Sequence, residues 1–163
     1  MTRKWVINAS PLIVLAKISQ IGLLSQICDQ IVIPTGVVQE INDGMDDDLA
    51  KIWLNTEGYL WCQEVLQIDP IVASWDLGLG ESHVISWAYQ NSGYEVILDD
   101  RAAKNAASSL GIPVRGTLGI LLLAKQEGKL SKVKPALNQL VQIGFRVSPE
   151  VLLKVLQLAN END

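Results

Sequence analysis

Short apolar runs rich in β-branched residues alternate along this chain with segments of helical periodicity, and few architectures satisfy that alternation. Lys4-Trp5-Val6-Ile7 is such a run, bounded by Asn8 and Pro11, and so are residues 30–33 and Glu95-Val96-Ile97-Leu98. Each is too short for a helix and too apolar for an exposed strand, which is the signature of a strand buried on both faces. Between them lie helical patterns. Ser10-Pro11 opens one, because proline fits the first turn, where its missing N–H costs nothing. Others cover about residues 23–28, then Pro34-Thr35 through Ile41, residues 81–90 and the alanine-rich 102–110. Residues 60–68 read as the third strand, followed by a turn at Asp69-Pro70, and residues 113–115 as a short fifth strand. Strands alternating with helices predict an α/β fold with a parallel sheet and helices on both faces.

Gly116-Thr117 reads as the cap of an apolar helix closed by Gly128, and two more helices follow at about 133–143 and 149–158. With no linker, repeat or low-complexity stretch, residues 1–163 are expected to form one domain, with a C-terminal helical extension over about 117–163. Asp46-Asp47-Asp48 reads as the solvated acidic start of a short helix, favourable to its dipole.

Thirteen Lys and Arg against eighteen Asp and Glu leave a net charge of −5. That argues against broad coating of nucleic-acid backbones, which needs clustered cations. It leaves room for a nucleic-acid enzyme whose site carries divalent cations, since the ions invert the local field. Two cysteines, Cys28 and Cys62, build neither a disulfide framework nor a cysteine-rich zinc site. A single histidine, His83, excludes any mechanism that needs two imidazoles. It reads as a packed or surface histidine rather than a general base. The apolar stretch after Arg3-Lys4 is interrupted at Asn8, Ser10 and Pro11, too early for the roughly 7–15 apolar residues of a signal peptide core. No membrane association and a cytoplasmic location are expected.

In an open parallel sheet, ligands sit beyond the carboxyl ends of the strands where strand order reverses. Asn8 ends the first strand and Asp99-Asp100 the fourth; Glu40 lies about two turns past the second, and Glu81 starts the helix leading into the fourth. Four acidic side chains and an amide then converge on one crevice. Hard oxygen donors without His or Cys suit Mg²⁺ or Mn²⁺. Two such ions can clamp the attacking and leaving oxygens of a phosphodiester. Each carboxylate taken alone also reads as a solvated surface group or a helix-dipole partner. Arg101 and Arg115 are candidates for phosphate contacts, since arginine forks match phosphate oxygens; Arg101 reads equally as a partner for Asp99 or Glu95. Thr117 reads as a helix cap whose neighbouring backbone amides can hold a phosphate. The five tryptophans are candidates for base stacking or for core.

Asn8-Ala9-Ser10-Pro11-Leu12-Ile13, Val32-Ile33-Pro34 with Glu40-Ile41, Leu79-Gly80-Glu81 with Ile85, and Leu98-Asp99-Asp100-Arg101-Ala102 with Leu110-Gly111-Ile112 together resemble the PIN-domain superfamily. Gly116-Thr117-Leu118-Gly119-Ile120-Leu121 with Ala124-Lys125 and Gly128 resembles its prokaryotic branch called DUF3368. The resemblance spans nearly the whole chain. It implies a five-stranded parallel sheet, a carboxylate cluster binding Mg²⁺ or Mn²⁺, single-stranded RNA as substrate, and a small antitoxin protein as a partner class. Residue by residue, the family's acidic positions fall on Asn8, Glu40, Glu81 and Asp100 or Asp99, with Asp100 favoured. Glu40, Glu81 and Asp100 are then the catalytic carboxylates, and Ser10 is the small hydroxyl residue that faces the metal and substrate.

Asn8 departs from the pattern, which has aspartate there. An amide keeps one ligating oxygen but brings no charge, so metal affinity is expected to fall. The chain is therefore expected to be a metal-dependent endoribonuclease or, as the alternative, a weakened or inactive PIN-like module that binds RNA or a small protein. The right-handed crossover rule predicts a three-layer α/β/α sandwich with strand order 3-2-1-4-5. The C-terminal Val151-Leu152-Leu153-Lys154-Val155-Leu156 is apolar on more than one helical face, inviting a partner or a homodimer.

Overall fold

The structure is a computed structural model that describes residues 2–45 and 48–161; Asp46 and Asp47 of the acidic run lie outside the described residues. The chain opens with β1 (Lys4–Ile7), whose Trp5, Val6 and Ile7 are all fully buried. Successive strand residues point to opposite faces, so this burial requires cover on both sides of the sheet. Next come α1 (Ala9–Lys17), α2 (Leu23–Ile27), β2 (Gln30–Pro34), α3 (Thr35–Asn42) and α4 (Leu49–Thr56). A 3-10 turn, Gly58–Trp61, leads into β3 (Cys62–Gln63). The second half runs α5 (Pro70–Ala73), α6 (Leu79–Gln90), β4 (Glu95–Ile97), α7 (Arg101–Ser109), β5 (Val114–Arg115), α8 (Thr117–Gln126), α9 (Lys134–Gln142) and α10 (Pro149–Leu158).

All five strands pair in parallel in the order β3-β2-β1-β4-β5, as the crossover rule predicts. β1 registers Val6 against both Val32 and Val96, so the sheet's centre is an unbroken apolar layer. The helices after β5 contribute Ile120, Leu121, Leu137, Leu140 and Val155 to the same buried cluster. Among the described residues, no helix is long and apolar enough to cross a membrane. Cys28 and Cys62 are free thiols.

Local chemistry moved several boundaries. β3 is two residues, not the nine of 60–68. The 3-10 turn takes up Leu60 and Trp61, and beyond Gln63 the Val65 amide donates to the Thr35 hydroxyl rather than to a strand. The expected turn at Asp69-Pro70 starts α5 instead: the Asp69 carboxylate accepts from the Ile71 amide, and Pro70 sits at the first helical position. Asp48 caps α4 in the same way, accepting from Ala50. α6 starts at Leu79, two residues early, which makes Glu81 its third helical residue and aims its carboxylate back at the Gly78 amide.

Candidate active site

β1 has β2 on one side and β4 on the other, so connections leave in opposite senses and a crevice opens beyond the carboxyl ends of β1 and β4. Asn8 follows β1 directly, and its backbone N–H donates to the carbonyl of Ile97, the last residue of β4. Asn8 is the N-cap of α1, a position where asparagine ordinarily accepts a hydrogen bond from the first turn. Here its side chain makes no capping bond, is buried, and leaves Oδ1 without a partner. Buried polar oxygens are nearly always hydrogen-bonded. An orphan oxygen at the crevice is what a ligand to a cation requires.

Glu40 stands on the last turns of α3, and its Oε1 accepts from the Gly80 amide at 2.7 Å. Glu81 accepts from the Gly78 amide at 3.3 Å, so both glutamates lie at the N-terminus of α6, where the helix dipole favours negative charge. Burial pushes the Glu81 carboxyl above its usual range, and the negative charges of Asp100 and then Glu40 push it further, against the Gly78 hydrogen bond. Those causes place three carboxylates in one another's field. Asp100 caps α7, accepting from the Ala103 amide at 3.0 Å. Asp99 is already engaged. Its two oxygens accept from the Thr117 amide at 2.8 Å and the Thr117 hydroxyl at 2.6 Å, so it fastens the start of α8.

Glu81 thus lies in the field of Asp100 and Glu40, and Asn8 ends the strand next to the one that leads to Asp100. Their hard-oxygen chemistry fits a divalent cation, with Asn8 Oδ1 as the unsatisfied member. Among the described residues, no three His, Cys, Asp or Glu side chains already form a ligand cage.

His83 turns its Nδ1 to the Gly36 amide at 2.8 Å. The ring is an acceptor there, and burial pushes its pKa down against the charge of Glu40, so it is a neutral strut between α3 and α6. A Cβ on Gly36 would stand 2.7 Å from that nitrogen, which is why glycine occupies the position.

Beside the carboxylates lies a cleft of about 900 Å³, lined among others by Ser10, Asp99, Asp100, Arg101, Lys104 and Arg146. Among the described residues, Arg101, Lys104 and Arg146 form no ion pair. Three unpaired cations share one cleft of a protein with a net charge of −5. Arg115 lies apart: its Nε donates to Glu95 at 2.9 Å, and the same carboxylate oxygen accepts from the Trp5 indole. Glu95 is therefore the partner of Arg115, not of Arg101. Thr117 is fully buried, with its hydroxyl and amide both bonded to Asp99, and the N-cap of α8 is Gly116.

Lys104 and Arg146 were not foreseen from the sequence. Lys104 lies one turn after Arg101 on α7, a spacing that puts the two on neighbouring positions of one face. Arg146 sits in the loop before α10, and no local pattern links it to residues some forty positions earlier.

Comparison with known families agrees with this geometry. The sequence profile of DUF3368, described as a PIN domain, matches residues 4–161. No curated protein and no solved structure matches the chain. PIN domains have a nuclease-like fold, bind nucleic acid and generally use divalent metal ions. With its parallel sheet in the order 3-2-1-4-5, its acidic crevice and a match over nearly its whole length, the chain belongs to the PIN-domain family DUF3368.

Proposed function

We propose that this protein is a divalent-metal-dependent endoribonuclease acting on single-stranded RNA. The observation that carries the proposal is that Asp100 and the unpaired Arg101, Lys104 and Arg146 line the same cleft. The acidic centre thus meets, at Asp100, a surface that needs anions. Asn8, Glu40, Glu81 and Asp100 would hold Mg²⁺ or Mn²⁺. When bound, such an ion supplies an activated water and neutralises charge on the phosphate in the transition state.

The chain's own residues position the substrate. Arg101, Lys104 and Arg146 attract the RNA backbone, and arginine forks bind phosphate oxygens in a fixed orientation. Ser10, exposed on the same cleft two residues after Asn8, offers a hydroxyl to the phosphate. Asp99 acts through Thr117, holding the start of α8 as a fixed wall, and Arg115 braces the edge of the sheet through Glu95. Val151, Leu153 and Leu158 leave apolar surface exposed on α10, which supports an antitoxin-type protein partner or a homodimer.

A second function draws support from Asn8 alone. It brings no negative charge, so a module that binds RNA or a small protein without cutting is consistent with the same fold. Cleavage of labelled single-stranded RNA with Mg²⁺ or Mn²⁺, against a chelator control, separates the two. Cutting that needs the ion and disappears in Asp100→Asn is the expected result. RNA binding without cutting under every metal condition supports the module.

A further inference from the structure

A second cleft, of about 340 Å³, opens on the other flank of α7. One wall is Trp75 and Leu77, which lead directly into Gly78, the residue whose amide holds Glu81. The opposite wall is Ala102, Asn105, Ala106 and Ser109, which recur at three- and four-residue spacing and so share one face of the helix that Asp100 caps. Both walls therefore grow out of segments that carry the active-site carboxylates. Asn105 lines this cleft and the larger one, so the two meet across α7.

Trp75 is half-buried and packs on the core, which holds the indole in place. Among the described residues, Trp53 and Trp61 face each other and Trp87 meets Tyr94, but the Trp75 ring has no aromatic neighbour. Opposite it stand only short side chains, which leave a slot rather than a filled contact. Asn105 and Ser109 are exposed at its edge: the Asn105 amide can donate or accept, and the Ser109 hydroxyl, which donates to the Ala106 carbonyl at 2.7 Å, keeps its oxygen as an acceptor.

We infer that this slot is a nucleobase subsite, in which one base of a single-stranded RNA stacks on Trp75 while Asn105 and Ser109 meet its polar edge. The inference rests on the RNA-cleaving function proposed above. Continuity and charge select the occupant. A strand whose phosphates lie along Arg101 and Lys104 passes Asn105, and a base on that strand reaches the slot without leaving α7. Aromatic platforms beside a cationic track are how proteins hold unpaired bases.

The test uses a short single-stranded 2′-O-methyl oligoribonucleotide, fluorescently labelled, and a series with one abasic residue moved along it. Wild type should bind the intact oligonucleotide and lose about tenfold in affinity when one particular position is abasic. Trp75→Leu should bind the intact oligonucleotide about tenfold more weakly and respond equally to every abasic position, whereas Trp75→Phe keeps the positional loss. Ala102→Leu fills the slot from an exposed helical position with the indole in place, and should reproduce Trp75→Leu, which separates loss of the subsite from loss of the fold. Equal affinity of wild type for the intact and all abasic oligonucleotides overturns the subsite while leaving RNA binding intact. So does a positional loss that persists in both Trp75→Leu and Ala102→Leu. Failure of wild type to bind the intact oligonucleotide overturns RNA as the substrate and the subsite together.

Discussion

The carboxylate of Glu40 accepts a hydrogen bond from the backbone of Gly80, and a Cβ on Gly80 would stand 2.9 Å from both of its oxygens. Only glycine lets an acidic side chain from α3 settle on the N-terminus of α6. The obstructed atoms belong to the flexible end of a glutamate, so Gly80→Ala moves the carboxylate rather than the backbone. The variant should fold, with stability changed by less than about 2 kcal/mol, because helix propensity gained offsets the hydrogen bond lost. Mn²⁺ affinity measured by calorimetry should drop about tenfold or more, as it does when a ligand's supporting contact is removed. Unchanged affinity would show that Glu40 is not held for metal.

Glu81→Gln should stabilise the metal-free protein. The Glu81 carboxyl lies above its ordinary value of 4.5 in the folded state. The folded protein thus favours the protonated form, and its stability from this group is full at low pH and lost as pH rises through the folded pKa. A neutral glutamine keeps the Gly78 contact and removes that loss. In a chelator, Tm at neutral pH should exceed that of wild type, and the gap should close below 4.5. A lower Tm at neutral pH contradicts the crowding of Glu81, Asp100 and Glu40.

Asn8→Asp places a charge where an oxygen already lacks a partner. Without metal the variant should melt below wild type, since a buried charge joins three carboxylates. With Mn²⁺ it should bind more tightly, by about tenfold or more, because a full negative charge beside a divalent cation adds coulombic attraction that a neutral amide lacks. Cleavage should rise with it. Equal Mn²⁺ affinity in wild type and variant removes Asn8 from the ligand set.

The neighbouring aspartates should separate cleanly. Asp99→Ala strands the buried amide and hydroxyl of Thr117 and should cost about 2–4 kcal/mol in urea unfolding. Asp100→Ala loses one helix cap, about 1 kcal/mol, and relieves the repulsion on Glu81. The second variant, and not the first, should lose the stabilisation that Mn²⁺ confers on wild type. The reverse pattern would make Asp99 the ligand.

Acid should loosen the C-terminal helices through Glu161. Burial alone would push this carboxyl up, but the Lys125 ammonium at 2.6 Å and the amides of Val133 and Lys134 hold it down, to about 2. A carboxyl lowered on folding stabilises the protein above its unfolded pKa and ceases to do so as pH falls through the folded one. Tm should therefore decline between 4.5 and about 2, more steeply in wild type than in Glu161→Gln. Parallel declines would show that the Glu161 contacts do not tie α10 to α8 and α9.

The sheet was readable from the chain alone because its cause is local. Trp5-Val6-Ile7 and Val96-Ile97-Leu98 are apolar at consecutive positions, which suits only a strand covered on both faces, and the handedness of crossovers orders such strands. That order also sets Asn8 and Asp100 at the same end of neighbouring strands, Asn8 directly after β1 and Asp100 three residues past β4. β3 was misjudged because an edge strand is limited by what its neighbours leave unpaired, here the Thr35 hydroxyl that takes the Val65 amide.

Tertiary structure decided the rest. Asp99 and Asp100 are chemically identical neighbours lining one cleft, and only the arrival of Thr117, eighteen positions after Asp99, engages both oxygens of Asp99 while Asp100 keeps a single helix-cap bond. Arg101, Lys104 and Arg146 come to line one cleft only when the loop before α10 is brought beside α7, while Arg115 is taken by Glu95 on the adjacent strand. Trp75 is set apart by facing short side chains across a slot, while Trp53 and Trp61 meet each other and Trp87 meets Tyr94. Strand position follows from hydrophobic pattern along the chain, whereas the partner of a charged or aromatic side chain depends on which distant segment packs beside it.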